Sequence, residues 1–143
     1  MFARILAIAL FAFVVGCSSY RVEGPGTYSH DGVIITPQQL EMRGSKLRLR
    51  FTFVNHTEHE IMVDRNQTQL VLPDGQVVGR FKGTFGGMTK GFHKIEAGMS
   101  HDVFMDFLLD GEPPEELLLQ LTGVVADGKP MDLPDYKLTI EPE

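Results

Sequence analysis

An all-β fold, an antiparallel β-sandwich of about seven to eight strands, is what this 143-residue sequence predicts. Three observations carry that expectation. Apolar residues alternate with polar ones at the strand spacing rather than recurring at the helical one. Asp-Gly pairs at Asp31-Gly32, Asp74-Gly75, Asp110-Gly111 and Asp127-Gly128 punctuate the apolar runs, and this dipeptide accommodates the positive φ of tight turns. No long amphipathic helix pattern is visible. A small β-barrel is the alternative architecture.

The clearest strand is Lys46 to Phe53, where Leu47, Leu49, Phe51 and Phe53 share one face and Lys46, Arg48, Arg50 and Thr52 the other; such a strand is half buried and half wet. Before it, Val33 to Thr36 begins a strand that resumes at Leu40 to Met42 after Pro37. Glu60 to Asp64, Gln69 to Leu72 and Gln76 to Phe81 follow, and Pro73-Asp74-Gly75 between two apolar runs signals a hairpin. Val103, Met105, Phe107 and Leu109 alternate with Asp102, Phe104, Asp106 and Leu108. Pro113-Pro114-Glu115-Glu116 suits the start of a brief helical turn, with acids at its N-terminus. Leu117, Leu119 and Leu121 then alternate with Leu118 and Gln120, and Lys137 to Ile140 closes the chain.

Composition narrows the class. With 43% hydrophobic and 22% charged residues the chain is globular, not disordered, and its length suits one domain. A net charge of -6 argues against nucleic acid as a partner, because phosphates demand clustered cations. A single cysteine excludes an intrachain disulfide, and a zinc or redox role would need partner cysteines.

The N-terminus is set apart. Arg4 precedes an uninterrupted apolar run from Ile5 to Val15, too short for a bilayer-spanning helix and arranged as a secretory signal. Val14-Val15-Gly16-Cys17 resembles the lipobox of bacterial lipoproteins. That resemblance implies cleavage of residues 1–16 and lipidation of Cys17, so that the membrane is a partner through the lipid. More than one acyl chain makes such an anchor durable, since a single chain holds only marginally. In the sorting pattern of enterobacterial lipoproteins an Asp in the place of Ser18 retains the protein at the inner membrane. Ser18 therefore implies the outer membrane, facing the periplasm. Loss of Arg4 leaves the mature chain more acidic, so lipid rather than protein surface is expected to hold it to the membrane. Residues 17–31, with Gly24-Pro25-Gly26 and little apolar periodicity, read as a lipidated tether, and residues 32–143 as the sandwich domain.

The order of features in that domain resembles the uncharacterised immunoglobulin-like domains found behind bacterial lipoprotein signals. A long alternating strand ends in Asn and a small polar residue, here Phe53-Val54-Asn55-His56-Thr57. A strand and Asp-Gly hairpin follow, Leu70 to Val78; then Ile95-Glu96-Ala97-Gly98-Met99-Ser100 leads into an apolar strand. The resemblance implies an immunoglobulin-like sandwich, without the Trp and disulfide of antibody domains.

Catalytic patterns fail on geometry. Ser100-His101-Asp102 holds the letters of a hydrolase triad in a row, but neighbours on a strand point to opposite faces, and no G-x-S-x-G elbow is present. The glycine-rich Gly83 to Gly91 places Thr89 before Lys90, the reverse of a phosphate loop. The expectation is a protein without enzymatic activity or cofactor. In and beside that loop Phe81, Phe85, Met88 and Phe92 form the candidate contact patch for an envelope protein or glycan. The alternative is a small copper-binding protein, since five histidines and seven methionines offer the soft ligands Cu(I) prefers. His56 with His59, or Met88, His93, Met99 and His101 gathered near one edge, would supply them. No metal motif appears, so no metal ligand is assigned. Asp102, Asp106 and Asp110 read as a solvated face, and the two glycosylation sequons as incidental.

Overall fold

Alternation fixes the centre of the molecule. In the computed structural model, which describes residues 19–82 and 91–143, Leu47, Leu49, Phe51 and Phe53 are all buried on the inner face of β4 (Lys46–Asn55). β3 (Val33–Arg43) and β9 (Ser100–Leu108) flank β4 antiparallel. Val103, Met105 and Phe107 of β9 are buried in the same phase. Along β3 the inward row changes parity, from Val33 and Ile35 to Met42. The pairing explains the change: Pro37 lies opposite Phe51 and Gln39 opposite Arg50. Gln38 is thus the extra residue of a bulge, which lets the strand run on past a proline.

The remaining strands are β1 (Ser19–Glu23), β2 (Tyr28–His30), β5 (Ile61–Asp64), β6 (Gln69–Val71), β7 (Val77–Gly79) and β8 (Phe92–Ile95). β10 (Glu116–Gln120), β11 (Val124–Ala126), β12 (Lys129–Pro130) and β13 (Tyr136–Pro142) complete the chain, with one 3₁₀ turn at Arg65–Gln67. The larger sheet runs β7-β6-β10-β13-β1-β3-β4-β9, with β2 added on β3; the smaller runs β12-β11-β5-β8. All pairs are antiparallel. Ile61, Val63, Ile95 and Val124 of the smaller sheet join the larger sheet's side chains in one core. The larger sheet curls so far that its ends meet: the Phe81 N–H, just past β7, donates to the Asp106 carbonyl of β9 at 2.7 Å. The all-β antiparallel fold expected from the sequence is present, and it combines two sheets with a nearly closed, barrel-like curl.

The Asp-Gly pairs behave as their chemistry requires. Asp31 and Gly32 both have positive φ (47° and 82°), as do Asp127 and Gly128 (51° and 70°), the geometry of two-residue hairpins. Those turns join β2 to β3 and β11 to β12.

Two expectations are corrected. The segment read as a tether is not loose from Ser19 onward, because β1 sits between β13 and β3 in the larger sheet and β2 pairs with β3. Val22 is buried opposite Ile140, and Gly24 lies so close to Tyr136 that any Cβ there would collide with its ring. The helical turn at Pro113–Glu116 does not form. The Glu115 carbonyl accepts from the Ile140 N–H at 2.8 Å, and Glu116 already belongs to the ladder with β13.

Tyr136 ties that N-terminal segment down. Its ring meets Phe51 edge-on at 5.2 Å and Tyr28 at 6.0 Å. Its hydroxyl accepts from the Gly26 N–H and donates to the Gly26 carbonyl, each at 3.2 Å. Burial pushes both phenols above their ordinary 10.0, and for Tyr28 the neighbouring Tyr136 adds to it. A phenol whose pKa is higher folded than unfolded costs no stability below the unfolded value. Above it, the unfolded chain sheds protons that the folded one keeps, so stability falls as pH rises past 10.0. In a Tyr20→Phe chain, whose remaining tyrosines are Tyr28 and Tyr136, the expected result is alkaline unfolding in which tyrosinate absorbance and loss of β-sheet circular dichroism rise together. Tyrosinate forming well before the sheet melts would contradict the packing.

Candidate functional site

Because β4 and β9 bury every second residue, their intervening residues form one outer face. On β4 these are Lys46, Arg48 and Arg50, set opposite Leu108, Asp106 and Phe104 of β9. Arg48 Nε lies 3.3 Å and Lys46 Nζ 3.5 Å from Asp106 carboxylate oxygens. The Arg50 guanidinium stands 5.6 Å over the Phe104 ring. Phe104 and Leu108 remain 46% and 42% exposed, which makes them the apolar part of a largely charged surface.

The seam where the larger sheet meets itself adds a second layer. β9 is an edge strand, and two of its outward carbonyls find partners across the seam, as an edge needs. The Asp106 carbonyl takes the Phe81 amide, and the Phe104 carbonyl takes Nη1 of Arg65 at 3.0 Å. Arg65 is held in place by its own N–H, which donates to the Gly91 carbonyl at 2.7 Å. Arg80 donates to Asn66 Oδ1 at 3.0 Å, and Lys46 lies 5.9 Å from the Phe81 ring centre.

These groups enclose an open cleft of about 190 Å³ walled by Phe81 and Phe104. Four cations line it, Lys46, Arg65, Arg80 and Lys82, against the single carboxylate of Asp106 among the described lining residues. Burial and then the nearby charge of Arg80 push the Arg65 pKa down, with Asp106 opposing them. Arg50 Nε and Arg80 Nε are occluded without hydrogen-bond acceptors among the described residues. Among the described residues the cleft therefore gathers more positive charge than its one carboxylate balances. A neighbouring groove of about 420 Å³ lined by Glu41, Arg43, Lys46 and Arg48 continues the basic stripe.

Of the contact patch expected from the sequence, Phe81 is 38% and Phe92 48% exposed. Phe81 walls the cleft, whereas Phe92 opens β8 opposite Asp64. Phe85, Met88 and the lipidation position Cys17 lie outside the described residues. Phe104, Arg65 and Arg80 escaped the sequence reading. The outward phase of β9 already marked Phe104 as exposed, whereas no local pattern links Arg65 and Arg80 to it.

The other constellations are partly assembled. His93 Nδ1 and His101 Nε2 lie 3.0 Å apart with ring centres at 4.5 Å, while Met99 is exposed in the preceding turn. His59 Nε2 stands 4.0 Å from Asp127, and its carbonyl is taken by Asn55. Among the described residues no group of three His, Cys, Asp or Glu side chains could hold a metal. In the Ser100-His101-Asp102 run, His101 meets His93 and Asp102 accepts from the Thr52 hydroxyl at 2.6 Å, so the three form no relay. The face of Asp102 and Asp106 is outward as expected, yet both carboxylates are engaged rather than merely solvated.

The class these observations define is an antiparallel, two-sheet β-protein with a basic, partly apolar cleft at a sheet seam. No family model matches the chain, and no curated protein does. Among solved structures it is similar to the yjhA protein of Bacillus subtilis, with a TM-score of 0.51 at 13% identity, covering 68% of this chain and 78% of that one. It also matches Northeast Structural Genomics Consortium target SoR45, with a TM-score of 0.39 at 13% identity over 87% of this chain and 80% of that one. The first likeness bears on the fold alone, consistent with a β architecture.

Proposed function

We propose that this protein is a lipid-anchored lipoprotein of the bacterial cell envelope, held at the outer membrane and facing the periplasm, acting as a non-enzymatic interaction module. The lipobox supports the anchor. The observation that carries the interaction role is the outer face of β4 and β9 with the seam beside it, where exposed Phe104 and Leu108, and Phe81 across the seam, stand near Lys46, Arg48 and Arg50. An acidic chain that gathers cations and apolar side chains on one face has a surface suited to a partner. Cys17→Ser is expected to leave an uncut precursor that takes up no labelled fatty acid; normal labelling of that variant refutes the anchor. A photo-crosslinking residue in place of Phe104 is expected to capture an envelope protein or glycan, while the same residue in place of Lys129 captures none. Equal yields at both positions would remove the interaction role.

The closeness of His93 and His101 favours copper binding as a second reading, because imidazole nitrogens are good Cu(I) ligands and a small opening of this hydrogen-bonded pair would admit the ion. Calorimetric titration with Cu(I) decides it: no saturable heat, or heat unchanged in His101→Ala, ends that reading.

A further inference from the structure

We infer that the cleft at the seam of the larger sheet is a binding site for a phosphoryl group, with Lys46, Arg80 and Lys82 supplying charge and Arg65 the rigid floor. The inference rests on the reading of this face as a contact surface and names the chemistry it contacts. Three observations lead to it. The lining is strongly cationic, and its single described carboxylate, Asp106, is already shared between Lys46 and Arg48. One donor of the lining, Arg80 Nε, has no acceptor among the described residues, and a buried donor left unanswered costs free energy. Arg65 is fixed by its bonds to the Phe104 and Gly91 carbonyls, so part of the binding geometry exists before any ligand arrives.

An oxyanion answers all three. A phosphoryl group carries up to two negative charges and several acceptor oxygens, and guanidinium groups match that geometry with paired N–H donors. The rings of Phe81 and Phe104 give the same cleft an apolar wall, which suits a phosphate carried on an organic body better than a bare ion. Net acidity of the whole chain does not oppose this, because charge at a cleft acts locally and distant carboxylates are screened within about 10 Å. A phosphoryl group can reach the site from a soluble phosphate ester or from the headgroup of a phospholipid.

The test uses the full lipidated chain in micelles of a maltoside detergent, which carries no phosphate, observed through its amide resonances at constant ionic strength. One arm adds inorganic phosphate. The other adds phosphatidylglycerol to the micelles. Saturable shifts at Phe81, Phe104 and Asp106 with phosphate support a soluble ligand, and the same shifts only with phosphatidylglycerol support a headgroup. Arg80→Gln with Lys82→Gln is expected to weaken either response about tenfold or more, since charge-assisted bonds are lost; Lys129→Gln with Lys137→Gln is expected to leave it unchanged. Silence in both arms, or an undiminished response in the Arg80/Lys82 variant, overturns the inference. Crosslinking at Phe104 with both arms silent would remove the phosphoryl site and leave the contact face standing.

Discussion

Asn55→Ala is expected to lower the stability of the full chain by about 3 kcal/mol and to move its urea midpoint down by about 2 M. Asn55 is fully buried at the end of β4. Its Nδ2 donates to the carbonyls of His59 at 2.7 Å and Ile95 at 3.0 Å. Its Oδ1 accepts from the N–H of Thr57 at 2.9 Å and the Thr57 hydroxyl at 2.6 Å. One amide thus joins the larger sheet to β8 of the smaller one and closes the β4–β5 loop. Truncation takes a partner from the Thr57 N–H and the Ile95 carbonyl, while the Thr57 hydroxyl keeps its bond to the His59 carbonyl, and water cannot reach the Ile95 carbonyl cheaply. Asn55→Asp sharpens the test, because its carboxylate would face two carbonyls while keeping the same shape. Such a group titrates above its ordinary range when folded, so that variant is expected to regain stability on mild acidification and lose it as pH rises. An Asn55→Ala protein within about 0.5 kcal/mol of the parent would show that the junction is held elsewhere.

Phe51→Ala is expected to cost about 3–5 kcal/mol, the range for removing a buried aromatic ring from a packed core. Phe51 lies mid-strand on β4, fully buried between Pro37 on β3 and Val103 on β9, with the Tyr136 ring edge-on above it. Loss of the ring opens a cavity beneath Tyr136, and the phenol becomes better hydrated. The variant should therefore unfold at lower urea and also begin its tyrosine titration at lower pH than the parent. Phe51→Leu is expected to recover a large part of the stability, because its volume fills much of the void. A destabilisation of less than about 1 kcal/mol would mean that neighbouring strands close the gap.

How much of this was legible in the sequence depended on strand length. β4 and β9 are 10 and 9 residues long, enough for alternation to show which face is buried. β8, β11 and β12 have 4, 3 and 2 residues, too few for any period to stand out. β1 was hidden for a different reason. In Ser19–Glu23 only Val22 is buried, and what makes the segment a strand is pairing with β13 at the far end of the chain. Asn55 was visible as a motif, yet its role required the carbonyl of Ile95, which local sequence does not bring near. The cleft was least legible, since its cations come from β4, the 3₁₀ turn and the segment after β7, with no shared periodicity. Phe81 was found because it borders a conspicuous glycine-rich run; Phe104 was in view only as an outward residue of β9.

The start of β1 at Ser19 sets the reach of the proposed lipoprotein. With acyl chains on Cys17, the covalent link between bilayer and sheet would be two residues at most, no more than about 7 Å when fully extended. Ser19 pairs with Arg43 at the end of β3, so the hairpin running into Lys46 would ride at headgroup height. A protein moored on so short a line sweeps no volume of periplasm and fishes for nothing distant. Whatever it meets must itself travel along, or come down to, the same lipid surface.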